Sequence, residues 1–243
     1  DHTHDLWVGD FEEGPYVIVD GNVVPTYLCL WIDCHSRYIV EARYYLKQTL
    51  DVLIDSLLRA WAVHGKSKQL YVDRAKIYIS NAFKAACCSL GIKHSNRPAG
   101  DPAAGGVVER FFETLQSQFE AEVRAGDILY LEALNRGLCA YLMVGYHQNM
   151  HSETRQTPQQ RYHSGLGIIR PVDMQEAIKF FMEEEKRTVH KDFSDIQLKT
   201  SFYKVDKKFR GDKVLIRYDP YSDMQKIWMY SLQDEVYLGE GIL

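Results

Sequence analysis

The chain has no apolar run approaching the ~18 residues that a membrane-spanning helix needs, and no signal-like segment at its start, Asp1-His2-Thr3-His4-Asp5. A membrane protein and a secreted precursor are therefore not expected. No initiator Met is present, so an excised piece of something longer is expected. Cysteine is scarce: the five are Cys29, Cys34, Cys87, Cys88 and Cys139, with no CxxC pair. Adjacent Cys87 and Cys88 make a poor structural bridge, so a reduced, cytoplasmic protein is expected. His2, His4, Cys29 and Cys34 match no common zinc spacing. An excess of positive charge is also missing. The formal net charge is -4, which argues against a protein that coats nucleic acid but leaves room for one that grips it locally. There is no internal repeat and no low-complexity tract.

What remains is an ordinary globular composition, 46% hydrophobic and 26% charged, long enough to bury a sizeable core. Strand patterns run over Leu6–Phe11, Tyr16–Val19, Val24–Ile32 and Tyr38–Tyr45, with hairpin chemistry at Asp20-Gly21-Asn22. Thr49–His64 has helical periodicity on Leu50, Leu53, Ile54, Leu57, Leu58 and Trp61, and Gly65 stops it. A short strand, Leu70–Val72, ends at Asp73. A helix over Asn81–Leu90 closes at Gly91, and a brief strand, Ile92–His94, follows. A Pro/Gly/Ala loop spans Pro98–Gly106. Helices follow over Val107–Arg124 and Leu131–His147. Hairpins first and βα alternation later predict an α/β fold, a mixed sheet flanked by helices. Met174, Ile178, Phe181 and Met182 suggest a connecting helix. Beyond Arg187, short strands over Ile196–Leu198, Ser201–Val205, Lys213–Tyr218, Lys226–Tyr230 and Val236–Leu238 predict a small all-β barrel or sandwich. The expected division is residues 1–168, a connector over 169–187, and 188–243.

Three scattered carboxylates carry the chemistry: Asp10, Asp73 and Glu109, the last two with 35 residues between them. Oxygen-donor side chains suit a hard divalent cation and phosphodiester chemistry. Glu109 shares a helical face with Gly105, Glu113 and Gln116, beside glycines that would let a phosphate approach. A strand-terminal Asp such as Asp73 is also a common turn former. Asp10 competes with Asp1, Asp5, Glu12, Glu13 and Asp33, and spacing does not choose among them.

Several segments resemble one family: Trp7-Val8-Gly9-Asp10, Ile32-Asp33-Cys34-His35-Ser36-Arg37, Leu70-Tyr71-Val72-Asp73 and Val107-Val108-Glu109-Arg110-Phe111-Phe112. Further matches are Tyr146-His147 through His151, Thr157-Pro158, and Lys213-Val214-Leu215-Ile216-Arg217-Tyr218. Together they resemble the DDE transposase and retroviral integrase catalytic core, in its bacterial insertion-sequence, Mu-transposase-like branch. The resemblance implies an RNase H-like five-stranded sheet with a C-terminal β-barrel. It implies two Mg²⁺ or Mn²⁺ ions held by Asp10, Asp73 and Glu109. It also implies cleavage at transposon ends, strand transfer into target DNA, and a homo-oligomer assembled on DNA in a bacterial, nucleoid-associated setting. Asp33 matches a structural turn rather than a ligand. Candidate DNA contacts are Arg74, Lys76, Lys93, Arg97 and Arg110. One departure stands out: the family usually has Asp-Asn-Gly where this chain has Asp73-Arg74-Ala75. It motivates a competing reading, a transposase-derived DNA-binding or assembly protein; a stand-alone nuclease with this fold is a third.

Overall fold

The structure, a computed structural model, describes residues 2–72, 81–96, 102–179, 181–219 and 223–243. The chain divides into two compact units, Asp1–Ala177 and Ile178–Leu243.

The first unit is built on β1 (Leu6–Glu13), β2 (Val17–Val19), β3 (Asn22–Val24), β4 (Tyr27–Asp33) and β5 (Ile39–Tyr45), followed by helix α1 (Leu50–His64). Then come β6 (Gln69–Val72), α2 (Asn81–Ser89), β7 (Lys93–Asn96), α3 (Pro102–Leu115), α4 (Ala121–Ala125), α5 (Leu131–Ala140) and α6 (Pro158–Ser164). A short α7 (Met174–Lys179) runs across the point where the units divide.

Five strands form one mixed sheet in the order β5-β4-β1-β6-β7. β4 pairs antiparallel with β1 and β5, whereas β1–β6 and β6–β7 are parallel. β4 is buried almost throughout because both of its faces are covered. Leu28, Leu30 and Ile32 join the core formed with Val108, Phe111, Phe112 and Leu115 of α3. By strand alternation Cys29 and Trp31 face the other way, toward the side on which α1 packs against β4 and β5. α1 buries Leu53, Leu57, Ala60 and Trp61, a 3.6-residue stripe. The hairpin expected at Asp20-Gly21-Asn22 forms between β2 and β3. Asp20 (φ 49°) and Gly21 (φ 77°) supply the two left-handed residues that such a turn requires. The strand expected over Val24–Ile32 is two strands, because Pro25 offers no N–H and divides them.

A buried carboxylate organises one end of the sheet. Asp33 is fully buried. Its Oδ1 accepts the His4 N–H at 2.8 Å, and its Oδ2 accepts the Ser36 N–H at 2.8 Å and the Ser36 hydroxyl at 2.6 Å. It is structural, as the Asp-Ser-Arg turn implied. His4, Cys29 and Cys34 form no zinc site: among the described residues no group of three His, Cys, Asp or Glu could hold a metal ion.

Beside this clamp lies a layer of aromatic and imidazole rings. Tyr38 stacks on His147 with centroids 3.8 Å apart, and the Tyr162 hydroxyl lies 2.7 Å from His64 Nδ1 and 3.1 Å from His4 Nε2. Burial disfavours the charged form of all three histidines: it lowers His64 and His147 to about 4, and it lowers His4 against the opposing pull of Asp33.

The second unit contains β8 (Glu183–Thr188), β9 (Asp195–Leu198), β10 (Ser201–Lys204), β11 (Lys213–Tyr218), β12 (Lys226–Tyr230) and β13 (Tyr237–Ile242). The order is β8-β11-β12-β13-β10-β9, with every pairing antiparallel. Arg187 Nε reaches the Gln197 carbonyl at 3.1 Å, so the first and last strands nearly close the sheet into a barrel. Val214, Ile216, Tyr218, Ile227 and Met229 fill its interior. β8 lies where a connector was expected, so the barrel begins before residue 188. Among the described residues no helix is long and apolar enough to cross a membrane.

Two outcomes are expected. Between pH 6.5 and about 4 the unfolded chain binds protons that folded His64 and His147 refuse, so stability falls with pH across that window. The slope contributed is about 1 kcal/mol per pH unit for each histidine. Thermal unfolding followed from pH 7 to pH 4.5 should show it, and a His64→Gln protein should show a shallower fall. Asp33→Ala leaves three buried donors unmatched and should cost about 3 kcal/mol or more, read as a lower urea midpoint.

Candidate functional site

Asp10 sits in the middle of β1, opposite Leu30 of β4. The glycine before it is demanded by packing. Gly9 lies opposite Trp31, and a Cβ there would come within 2.4 Å of the indole ring. Successive side chains of a strand alternate in face. Val8 packs into the core beneath α3, so Asp10 and Glu12 lie on that same face. Asp10 is half-buried, and its Oδ1 accepts the Phe11 N–H at 2.8 Å.

Glu109 is on α3, which packs against β1. Val107, Val108, Phe111, Phe112 and Leu115 are the buried side of this helix, while Glu109 and Arg110 are exposed. Two polar links fix the helix to the sheet. Gln116 Nε2 donates to Glu12 Oε1 at 2.9 Å. Glu120, only 1% exposed, accepts the Tyr44 hydroxyl at 2.7 Å and an Arg124 N–H at 3.0 Å. Burial, with Glu120 and Asp10 nearby, pushes the Glu12 carboxyl above its ordinary value. Both links fall in a π-helical turn, Gln116–Glu120, that continues α3 into α4. Glu109 and Glu113 share an exposed face as expected, and Gln116, in the π-helical turn, reaches Glu12 of β1.

One expectation is corrected. The stretch read as a loop over Pro98–Gly106 is helical from Pro102 onward. Proline is favoured at the first helical position, where its missing N–H has no partner to lose. Gly105 and Gly106 therefore lie in the opening turns of α3, and residues 98–101 fall outside the described residues.

Asp10 and Glu109 are thus brought onto packed elements, and both offer carboxylate oxygens, the donor type a hard divalent cation takes. Asp73, Arg74, Lys76 and Arg97 lie outside the described residues. Lys93 is exposed at the start of β7, two strands from β1. Reading by sequence position missed a cleft of about 300 Å³ beside α3, lined by Arg37, Arg110, Thr114, Asn149 and His151. Arg37, Arg110, Asn149 and His151 stood inside recognised motifs, but nothing in the order of the chain signals that they meet.

Known proteins share this architecture. The family model for the TnsB C-terminal domain matches residues 42–124, and that for the Mu transposase C-terminal region matches residues 179–240. The transposase for transposon Tn552 of Staphylococcus aureus is 24% identical over 250 residues, covering 93% of this chain and 52% of that protein. A Gag-Pro-Pol polyprotein of Human T-cell leukemia virus 3 (strain Pyl43) is 32% identical over 115 residues, 43% of this chain and 8% of the polyprotein. The chain therefore spans about half of the one relative and under a tenth of the other. Among solved structures, the HTLV-2 integrase catalytic core in complex with magnesium matches with a TM-score of 0.52 and 22% identity, covering 67% of this chain and 98% of that one. A chain of the simian T-cell lymphotropic virus intasome in complex with PP2A regulatory subunit B56 gamma matches with a TM-score of 0.57 and 18% identity, covering 99% of this chain and 77% of that one. The five-stranded mixed sheet is the integrase catalytic-core fold. By these matches the chain is similar to transposases and integrases along most of its length.

Proposed function

We propose that the chain is the catalytic core of a DDE-type DNA transposase, with Asp10, Asp73 and Glu109 as metal ligands. The observation that carries the reading is the placement of Asp10 on the sheet face covered by α3, the helix that presents Glu109. Three of the acids that compete with Asp10 have other roles. Asp5 pairs with Lys68 at 2.6 Å, Glu12 accepts from Gln116, and Asp33 is the buried clamp. The magnesium in the related integrase core supports a divalent ion.

When bound, a pair of Mg²⁺ or Mn²⁺ ions would supply activation of the attacking oxygen and stabilisation of the leaving one. The side chains present and hold the ligands. Asp10 stands on a strand stiffened by its neighbours and by the Gly9–Trp31 contact, and the Phe11 amide fixes one of its oxygens. Glu109 is exposed on a helix whose opposite side is clamped, so it meets the substrate without disturbing the core. The substrate class is duplex DNA at a mobile-element end, cut to free a 3′-hydroxyl that then attacks target DNA. Multimer assembly on DNA is part of the same proposal, as is a DNA or subunit contact through the barrel.

Strand transfer assayed with element-end DNA and Mn²⁺ tests this. Asp73→Asn and Glu109→Gln should each lower the rate by at least ~10²–10³-fold. Because Glu109 is exposed, Glu109→Gln should lower stability by no more than the ~1 kcal/mol of a surface contact, read as a small change in the thermal unfolding midpoint. Full activity in either variant would sink the assignment. Cutting of DNA without element ends, with no joined product, would point to a nuclease.

A further inference from the structure

Two arginines from separate elements meet on one carboxylate oxygen beside α3. Arg37, at φ 64° in the turn after the Asp33 clamp, donates from Nη2 to Glu153 Oε2 at 3.1 Å. Arg110, the residue after Glu109, donates from Nη1 to the same oxygen at 3.3 Å. The arginines are held differently. Arg37 is 15% exposed, its other terminal nitrogen contacts the Cys34 carbonyl, and its own carbonyl accepts the Tyr146 hydroxyl at 3.0 Å. Arg110 is 63% exposed and Glu153 46%. The Arg110–Glu153 pair, so accessible to water, contributes ~0–1 kcal/mol to folding, so fold stability does not explain why Arg110 joins Arg37 here.

The two clefts that meet at Arg37 carry donors for an anion, alongside the carboxylates Glu113 and Asp5. One side of Arg37 opens onto the cleft with Thr114, Asn149 and His151, and the other onto a second cleft with His35, Thr154 and Arg161. Arg161 is held in place as its Nε donates to the His35 carbonyl at 2.7 Å. Its helix α6 starts with a full capping box, in which Thr157 accepts the Gln160 N–H at 3.1 Å and Gln160 accepts that of Thr157 at 3.3 Å. His151 is held below its ordinary pKa, first by burial and then by the charges of Arg37, Arg110 and Arg161, which Glu153 only partly offsets. Three guanidinia thus share one region. The fork of an arginine matches carboxylate and phosphate oxygens alike.

We infer that Arg37 and Arg110 form a binding site for a DNA backbone phosphate next to the reacting phosphodiester, and that Glu153 occupies this site until the phosphate displaces it. The inference rests on the proposed action on DNA and adds a defined contact and a built-in competitor. Glu153 then sets a threshold: only a ligand that brings a phosphate in register with the cleft gains both arginines.

Binding of a fluorescent duplex to the purified chain, measured by anisotropy across a salt series, tests it. Glu153→Gln should tighten binding about two- to fivefold, the worth of an exposed ion pair. The matched charge change Glu132→Gln, on the exposed face of α5 where Glu132 pairs with Arg136, should leave affinity unchanged. Arg110→Ala should weaken binding and reduce the slope of log K against log salt by about 1, and in its background the gain from Glu153→Gln should shrink. If the chain binds duplex but Glu153→Gln behaves like Glu132→Gln, or Arg110→Ala keeps the slope, the phosphate site is overturned while action on DNA stands. If the chain binds no duplex even at low salt, both proposals fall.

Discussion

A carboxylate with no access to water is costly unless donors surround it, and much of the first unit follows from how Asp33 is satisfied. Its donors come from the N-terminal segment and from the turn between β4 and β5. The turn is closed further by backbone bonds, Arg37 N–H to the Asp33 carbonyl at 2.8 Å and Asp33 N–H to the Tyr38 carbonyl at 2.9 Å. Closing it drives Arg37 into the left-handed region, a conformation an arginine does not adopt cheaply. It also aims Tyr38 at His147, whose Nε2 accepts the Ile39 N–H at 3.2 Å. His147, Tyr162 and His64 belong to elements far apart in the chain, and this ring layer ties them to the same turn. The clamp is therefore a scaffold for the basic cleft and for the acid-sensitive layer together.

α3 solves a different problem, which is to hold an acidic side chain in solvent without letting the helix move. Its apolar face supplies most of the attachment, but an apolar face alone tolerates sliding and rotation. The Gln116–Glu12 and Glu120–Tyr44 bonds remove that freedom because hydrogen bonds are directional. A regular helix would carry residues 116 and 120 onward in one continuous stripe. The π turn inserts a slight rotation, so Gln116 meets β1 while Glu120 reaches back beneath β5. Phe119 uses the same turn to stack on Tyr141, 5.5 Å between centroids.

Legibility in the sequence tracked how local each cause was. α1 is visible because its buried stripe repeats within fifteen residues, and β11 and β12 because Lys213–Tyr218 and Lys226–Tyr230 are apolar-alternating runs bounded by turn residues. β8 is invisible by the same test. Glu183-Glu184-Glu185 shows no apolar alternation, since this strand is held by ladder bonds and by the Tyr218 hydroxyl, which donates to Glu183 and Glu185. The helical state of residues 102–106 was hidden because small residues and proline read as loop unless the proline is placed at a helix start. At the site, Asp10 was one acid among six until the family motif singled it out; in the structure its competitors Asp5, Glu12 and Asp33 are each engaged elsewhere. The Arg37–Glu153–Arg110 cluster was not legible at all. Its ion pairs span 116 and 43 positions, and no short pattern encodes contacts of that separation.

The net charge of -4 argues mildly against a protein that coats nucleic acid, but a sum over the chain does not measure the field at one cleft. At physiological ionic strength charges separated by more than about 8 Å are largely screened when exposed. Arg37, Arg110 and Arg161 line two clefts that share Arg37, so their charges act there at close range. A chain can be acidic in total and still hold a site where positive charge dominates locally. The proposed displacement of Glu153 takes the argument one step further: the local field is left partly neutralised in the free protein. Such a site limits indiscriminate binding to polyanions, and its full positive charge is exposed only when a correctly placed phosphate takes over the carboxylate's hydrogen bonds.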